Sequence, residues 1–228
     1  MILLIDKPKG MTSHDVIDHL RKVTGVKRIG HAGTLDPNAT GLLIVAIGRE
    51  STKRLSGFLK KDKTYEAEIF LGEERDTDDV EGSVRENPFL KRVGKKVSSK
   101  EVESILKKFL GKQKQIPPSY SAIKINGKKA YQMARAGKDL SSKLKERSVM
   151  IYSIKVLFFK YPILKIEVKV SSGTYVRALA RDIGRSLNTG AYLKNLKRTS
   201  IGKYKLADAI KLEDVKKSNL DESALEFV

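Results

Sequence analysis

Two features of the sequence predict an α+β fold. Helical and strand periodicities both occur, and they do not alternate in a regular βαβ beat. The 228 residues fit one large domain or two small ones. No internal repeat or low-complexity linker divides them, so one domain over 1–228 is expected. Hydrophobic residues make up 40% of the chain, enough for a sizeable core.

Met1–Asp6 reads as a short buried strand stopped by Lys7-Pro8-Lys9-Gly10. Thr12 caps a helix whose Val16, Ile17, Leu20 and Val23 share one face, with Asp15 at the capping-box position and Gly25 at its end. The glycine-punctuated segment GVKRIGHAGTLDPNATG fits neither period and is expected to be a loop. Leu42–Ile47 is a compact apolar strand. Lys63–Leu71 alternates, with Tyr65, Ala67, Ile69 and Leu71 on one side and Glu66, Glu68 and Phe70 on the other. Residues 73–82 form an acidic loop in which six acids crowd together, most of them expected to be solvated.

Ser98 and Glu101 have capping-box spacing ahead of Val102, Ile105, Leu106, Phe109 and Leu110, and Gly111 is expected to close that helix. From Gly111 to Arg147 the pattern loosens, with ten Lys and Arg against only Asp139 and Glu146. A basic, weakly periodic segment of this length predicts an element that reaches the surface. Val149–Phe159 and Ile163–Val170 read as two strands joined at Tyr161-Pro162. Gly173-Thr174 then opens a helix carrying Val176, Leu179, Ala180, Ile183 and Leu187.

The chain has 46 Lys and Arg against 27 Asp and Glu, a formal net charge of +19. This excess favours a polyanionic partner through phosphate contacts and counterion release; a Lys-rich surface kept for solubility is the plainer account. Zero cysteines exclude disulfides, thiolate metal sites and a cysteine nucleophile. No apolar run approaches the length of a membrane helix, and the N-terminus lacks a signal-peptide layout, so a cytoplasmic location is expected.

Familiar catalytic motifs fail. Gly25-x4-Gly30 begins like a phosphate-binding loop, but His31-Ala32 stand where Lys-Ser/Thr is required. Asp76-x-Asp78 lacks the glycine of a calcium loop, Glu81 standing in its place. His14 and His19 have the wrong helical spacing for a zinc pair, and no nucleophile elbow is present. What remains is residues 27–41. There two glycines let the backbone approach a ligand, Pro37 fixes the chain after the carboxylate of Asp36, and Lys27 and Arg28 bring positive charge. The ordinary alternative is a turn, since Asp and Asn are common around proline.

KRIGHAGTLDPNATGLL (27–43) closely resembles the signature of the TruB family of tRNA pseudouridine synthases. The resemblance continues, in order, through LIDKPKGMTSHDV (4–16), KTYEAEIFLG (63–72), RDTDDVEG (75–82), PPSYSAIKINGKKAYQMARAG (117–137), SSGTYVRALARDIG (171–184) and LKRTSIG (196–202). It implies the pseudouridine synthase fold: a mixed, mainly antiparallel sheet flanked by helices, with a thumb-like insertion. It also implies isomerisation of uridine 55 in the tRNA T-loop, with no cofactor or metal. The C1′–N1 bond breaks, the uracil turns, and C5 is joined to the sugar. The uridine must first leave its stack.

By this resemblance Asp36 is the catalytic aspartate. It acts either as a nucleophile at C1′ or by supporting a glycal route begun by proton loss at C2′. Tyr65 stacks on the flipped base, although its alternation alone favours core packing. Arg177 pairs with the catalytic carboxylate; spacing alone would leave it a solvated helix arginine like Arg181 and Arg185. Tyr175 and Leu196 line the uridine pocket, and spacing alone would make Leu196 core. His31 inserts into the T-loop, or is a structural histidine bonded to backbone. Asp76 is an acidic residue near the active site.

The basic segment 111–147, with Lys128 and Lys129, corresponds to a thumb that closes over the T-arm, against the alternative of a Lys-rich loop. The expected partner is tRNA, with no membrane or protein partner and a monomeric state. Val228 follows soon after Leu206–Ile210, where the catalytic core of the family finishes, so a separate PUA-like domain is not expected. The last stretch carries five acids against two lysines and is a poor phosphate binder. Two other functions compete: a non-catalytic chaperone of the T-arm, and a carboxylate glycosidase that would need a second acid from 73–82.

Overall fold

The computed structural model describes residues 1–86, 96–125, 127–138, 140, 143–220 and 224. The chain forms two compact units, one of Met1–Glu66 with Leu196–Val228, the other of Ala67–Asn195. Of the features read from sequence, Asp139 and residues 221–223 and 225–228 of the acidic terminal stretch lie outside the described residues.

The first unit opens with β1 (Ile2–Lys7) and α1 (Ser13–Thr24), followed by β2 (Ile29–Ala32) and β3 (Ala39–Ile47). Helices α2 (Arg49–Lys53) and α3 (Leu55–Leu59) lead into β4 (Lys63–Leu71), which runs on into the second unit. The second unit continues with β5 (Glu74–Arg75), β6 (Val84–Arg85), α4 (Ser99–Lys108) and β7 (Gly111–Gln115). The small hairpin β8 (Lys124–Ile125) and β9 (Lys128–Lys129) precedes α5 (Ala130–Arg135). Then come β10 (Arg147–Lys160), β11 (Ile163–Val170) and α6 (Val176–Ser186). Strand β12 (Ala191–Ile201) carries the chain back to the first unit, which ends with β13 (Tyr204–Lys205), β14 (Ile210–Lys211) and short 3-10 turns. Helices and strands mix as the sequence predicts, and pairing is mainly antiparallel.

In the first unit β1 lies between β3, its antiparallel partner, and β14, which runs parallel to it. Strand β3 also takes β2 antiparallel and β12 parallel. Both faces of β1 and β3 are covered, which explains their continuous apolar runs. Leu3, Ile5, Leu43 and Val45 meet Val16, Ile17 and Leu20 of α1 on one face; Ile2, Leu4, Leu42 and Ile44 meet Phe58 of α3 on the other. The terminal stretch adds Leu212, Val215 and Leu220 to the first of these cores. Thr12 and Asp15 form a reciprocal capping box, and Gly25 ends α1 in the left-handed conformation at φ 73°.

In the second unit β11 pairs antiparallel with β10, and β10 with β7. Leu164, Ile166, Val168 and Val170 are fully buried while the lysines between them are exposed, as the alternation predicts. Helix α4 begins at the expected Ser98–Glu101 box.

The structure corrects several expectations. The segment read as a loop contains β2 and the start of β3. Four residues are too few to show a period, and β2 exists because β3 supplies its hydrogen bonds. Helix α4 stops at Lys108, and Gly111 instead starts β7 with φ 87°. Inside the basic segment, β7, the β8–β9 hairpin and α5 escape a periodicity reading because each has six residues or fewer. Among the described residues no helix is long and apolar enough to cross a membrane.

Candidate active site

Asp36 sits in the connection between β2 and β3, partly buried, and hydrogen bonds from inside the first unit hold that connection. The Ser13 hydroxyl donates to the Leu35 carbonyl at 3.1 Å and accepts from the Leu35 amide at 2.9 Å, tying the loop to the start of α1. The Lys7 ammonium donates to the carbonyls of Met11 (2.6 Å), Pro8 (2.9 Å) and Pro37 (3.3 Å). Gly10 donates its amide to Pro37 at 2.9 Å, and Ala39 donates to the Asp36 carbonyl at 3.0 Å. Arg198, only 1% exposed, reaches the carbonyls of Leu42 and Gly33 at 2.7 and 3.0 Å.

Two buried cations, Lys7 and Arg198, therefore hold this loop. Burial pushes Lys7 down to about 8, with the Arg198 charge acting the same way and the nearby carboxylates of Asp36 and Asp15 opposing it. Lys63, at the start of β4, is likewise pushed down to about 8, first by burial and then by Arg198; its ammonium donates to Lys61 at 2.7 Å and Leu59 at 3.1 Å. His31 on β2 is lowered by burial, then by Arg198 and His14, which favours its neutral ring. Its Nδ1 is buried without a hydrogen-bond partner.

Tyr65 is 7% exposed on the inward side of β4, where the alternation placed it. Leu196 is partly buried and pairs with Ala39, three residues beyond Asp36. The first unit thus brings Asp36, Leu196 and the buried cations to one strand-end region.

The second unit carries Arg177, Tyr175 and Asp76. Arg177, 7% exposed, is not a solvated helix arginine: its guanidinium lies 3.2 Å from Asp79 Oδ2 and donates to the carbonyls of Thr77 (3.2 Å) and Tyr120 (2.9 Å). Arg181 donates to Asp78 at 2.8 Å and to the Ile116 carbonyl at 2.9 Å. Arg185 grips Glu74 with two bonds of 2.8 and 3.1 Å. Arginines four residues apart share one face of α6, and the acidic loop lies along it as a ladder. Four of its six acids pair with arginines, Glu73–Arg75 being the fourth pair, which corrects the expectation that most are solvated. Asp78 is held at φ 61°, and burial raises it to about 6 against the opposing charges of Arg181, Arg177 and Arg185.

Asp76 is exposed and accepts from the Ser83 amide at 2.9 Å, closing the turn; within the acidic loop the carboxylate that meets Arg177 is that of Asp79. Tyr175 is the N-cap of α6, and the side-chain amide of Gln115 bonds both its N–H and its carbonyl at 2.9 and 3.1 Å. Lys128 and Lys129 are exposed on β9, and Lys129 also lies 5.6 Å from the Tyr131 ring.

Sequence reasoning missed Lys7, Ser13, Lys63, Arg198 and Asp79. One signal was present for Arg198: it stands two residues after Leu196 in a strand and so shares its face.

Comparison with known proteins identifies the family. The model of the TruB family pseudouridylate synthase N-terminal domain matches residues 21–176, and that of the tRNA pseudouridylate synthase B C-terminal domain matches 177–228. Their join falls at the start of α6, away from the boundaries of the compact units. tRNA pseudouridine synthase B of Clostridioides difficile is 42% identical over 215 residues, covering 94% of this chain and 69% of its own length. The protein of the same name from Fusobacterium nucleatum subsp. nucleatum is 46% identical over 206 residues, 90% of this chain and 69% of its own. Among solved structures, a Cbf5-Nop10-Gar1 complex aligns with a TM-score of 0.71 and 29% identity over 93% of this chain; the chain spans about half (52%) of that relative. With two family models matching in tandem and relatives above 40% identity over nine-tenths of its residues, the chain belongs to the TruB family of pseudouridylate synthases.

Proposed function

We propose that this chain converts uridine to pseudouridine in tRNA, with uridine 55 of the T-loop as its target and Asp36 as the acting carboxylate. The relatives named tRNA pseudouridine synthase B support the tRNA substrate. The observation that carries the chemistry is the immobilised Asp36 loop, a carboxylate beside the buried ammonium of Lys7 in a connection fixed by Ser13, Lys7 and Arg198. A carboxylate carried on a main chain held this way enters the reaction from a loop that is already ordered.

The conversion is an isomerisation. The C1′–N1 bond breaks, the uracil rotates, C1′ joins C5, and the proton leaving C5 is balanced by one taken up at N1. Asp36 serves either as the nucleophile at C1′ or as the charge that supports a glycal intermediate. Tyr65 stacks on the everted base, worth roughly 1–3 kcal/mol. Arg177, oriented by Asp79, Thr77 and Tyr120, supplies a fixed cation. His31, Tyr175, Leu196 and Asp76 contact the uridine or its loop. The basic segment with Lys128 and Lys129 grips phosphates of the T-arm, the whole chain working as one catalytic domain. The enzyme works in the cytoplasm as a monomer, without metal or cofactor.

Tritium release from tRNA labelled at C5 of uridine tests this. Wild-type protein releases tritium from position 55, and Asp36→Asn binds tRNA but releases none. Full turnover by Asp36→Asn overturns the assignment of the carboxylate. Wild-type binding without any pseudouridine overturns catalysis in favour of a T-arm chaperone.

A further inference from the structure

We infer that Arg198 is a positioning residue for the reaction: its buried guanidinium fixes both shoulders of the loop that carries Asp36. This rests on the reading of Asp36 given above. One planar side chain donates to the Gly33 carbonyl, three residues before Asp36, and to the Leu42 carbonyl, six residues after it. These bonds leave from different nitrogens, Nη2 and Nε, on the rigid fork of the guanidinium, so the separation of the two carbonyls is set by covalent geometry. A lysine ammonium, a single point on a flexible stem, sets no fixed separation between the carbonyls it meets.

The strand that carries Arg198 is itself locked. Arg198 is in register with Gly41 on β3, where φ is 98° and an added Cβ would overlap the Arg198 carbonyl oxygen. On the other side Gly33 takes φ 89°, and a Cβ there would stand 3.6 Å from Arg198 Nη1 and 3.7 Å from the Lys63 stem. At Gly41 the missing Cβ lets β3 close onto the strand of the arginine, whereas Gly33 contributes its positive φ, since a Cβ there would make only ordinary contact.

Burial argues the same way. A cation at 1% exposure loses its hydration, and this one takes main-chain carbonyls as its hydrogen-bond partners. It also works against the charge on Lys7, Lys63 and His31. An apolar side chain would fill a core position without that repulsion. What the arginine adds is the fork.

The test compares wild type, Arg198→Lys and Arg198→Met by steady-state kinetics on tRNA, with circular dichroism and thermal melting of each protein. Arg198→Lys is expected to stay folded, to lower kcat about a hundredfold, and to leave KM within about threefold. Arg198→Met, which fills the position but has no donor, is expected to lose at least as much kcat as Arg198→Lys, with KM again little changed. A folded Arg198→Lys with wild-type kcat overturns the inference. So does a loss confined to KM, or a variant whose activity falls only in step with its folded fraction, because the arginine then holds substrate or fold rather than the loop. Failure of the wild-type protein to form pseudouridine refutes the functional reading instead.

Discussion

Gly10 and Gly41 both have positive φ, 86° and 98°, yet differ in what surrounds them. A Cβ at Gly10 meets nothing within 4 Å, whereas one at Gly41 overlaps the Arg198 carbonyl oxygen and stands 3.0 Å from its amide nitrogen. Gly10→Ala is therefore expected to cost about 1 kcal/mol from backbone strain alone, and Gly41→Ala about 3 kcal/mol or more, since β3 and β12 must also part. Urea unfolding of the two variants measures the difference, and equal losses would remove the close approach as a cause. Single residues also show where sequence reading stops. The capping partners Thr12–Asp15 and Ser98–Glu101 lie three positions apart and are legible directly. Arg198 and Gly33 are 165 positions apart, and no local pattern announces that they meet.

The element with most to lose is α6, whose exposed-looking arginines are bound to a loop about a hundred residues earlier. Asp78 has its carboxyl raised from the usual 3.8 to about 6, because burial outweighs the three arginines. For an acid whose folded value lies above its unfolded one, the native state holds the extra proton between the two. Its stabilising contribution is full below about 3.8 and is lost as pH rises through about 6. Stability relative to Asp78→Asn is thus expected to fall as pH climbs from 4 to above 6, by on the order of 3 kcal/mol. Denaturant melts of both proteins across that range check it, and a difference that grows with pH would show that the ion pair to Arg181 outweighs burial. The alternation of β11 and the apolar face of α6 were readable, since period and burial are local matters. The ladder was not, because charge patterns alone do not distinguish a solvated arginine from one with a distant partner.

Across the whole molecule the excess of 46 basic over 27 acidic residues favours binding of a polyanion, and the exposed β8–β9 hairpin concentrates part of it at Lys124, Lys128 and Lys129. Replacing Lys128 and Lys129 together by alanine is expected to weaken tRNA binding and to flatten the slope of log affinity against log salt by about 1.5. An unchanged slope, measured by filter binding or anisotropy, would move the phosphate contacts elsewhere. The sequence by itself determined the α+β class, the strands and capped helices with clear periods, the absence of thiol chemistry, and the loop that carries Asp36. All of these follow from composition or from neighbours a few residues apart. Only the tertiary structure decided that β2 is a strand, that the acidic loop is an arginine-paired ladder, and that Lys7 and Arg198 are buried around the Asp36 loop. The physical reason is one of range: propensities and caps act within a turn of chain, whereas strand partners and the carbonyls that satisfy a buried cation come from wherever folding brings them.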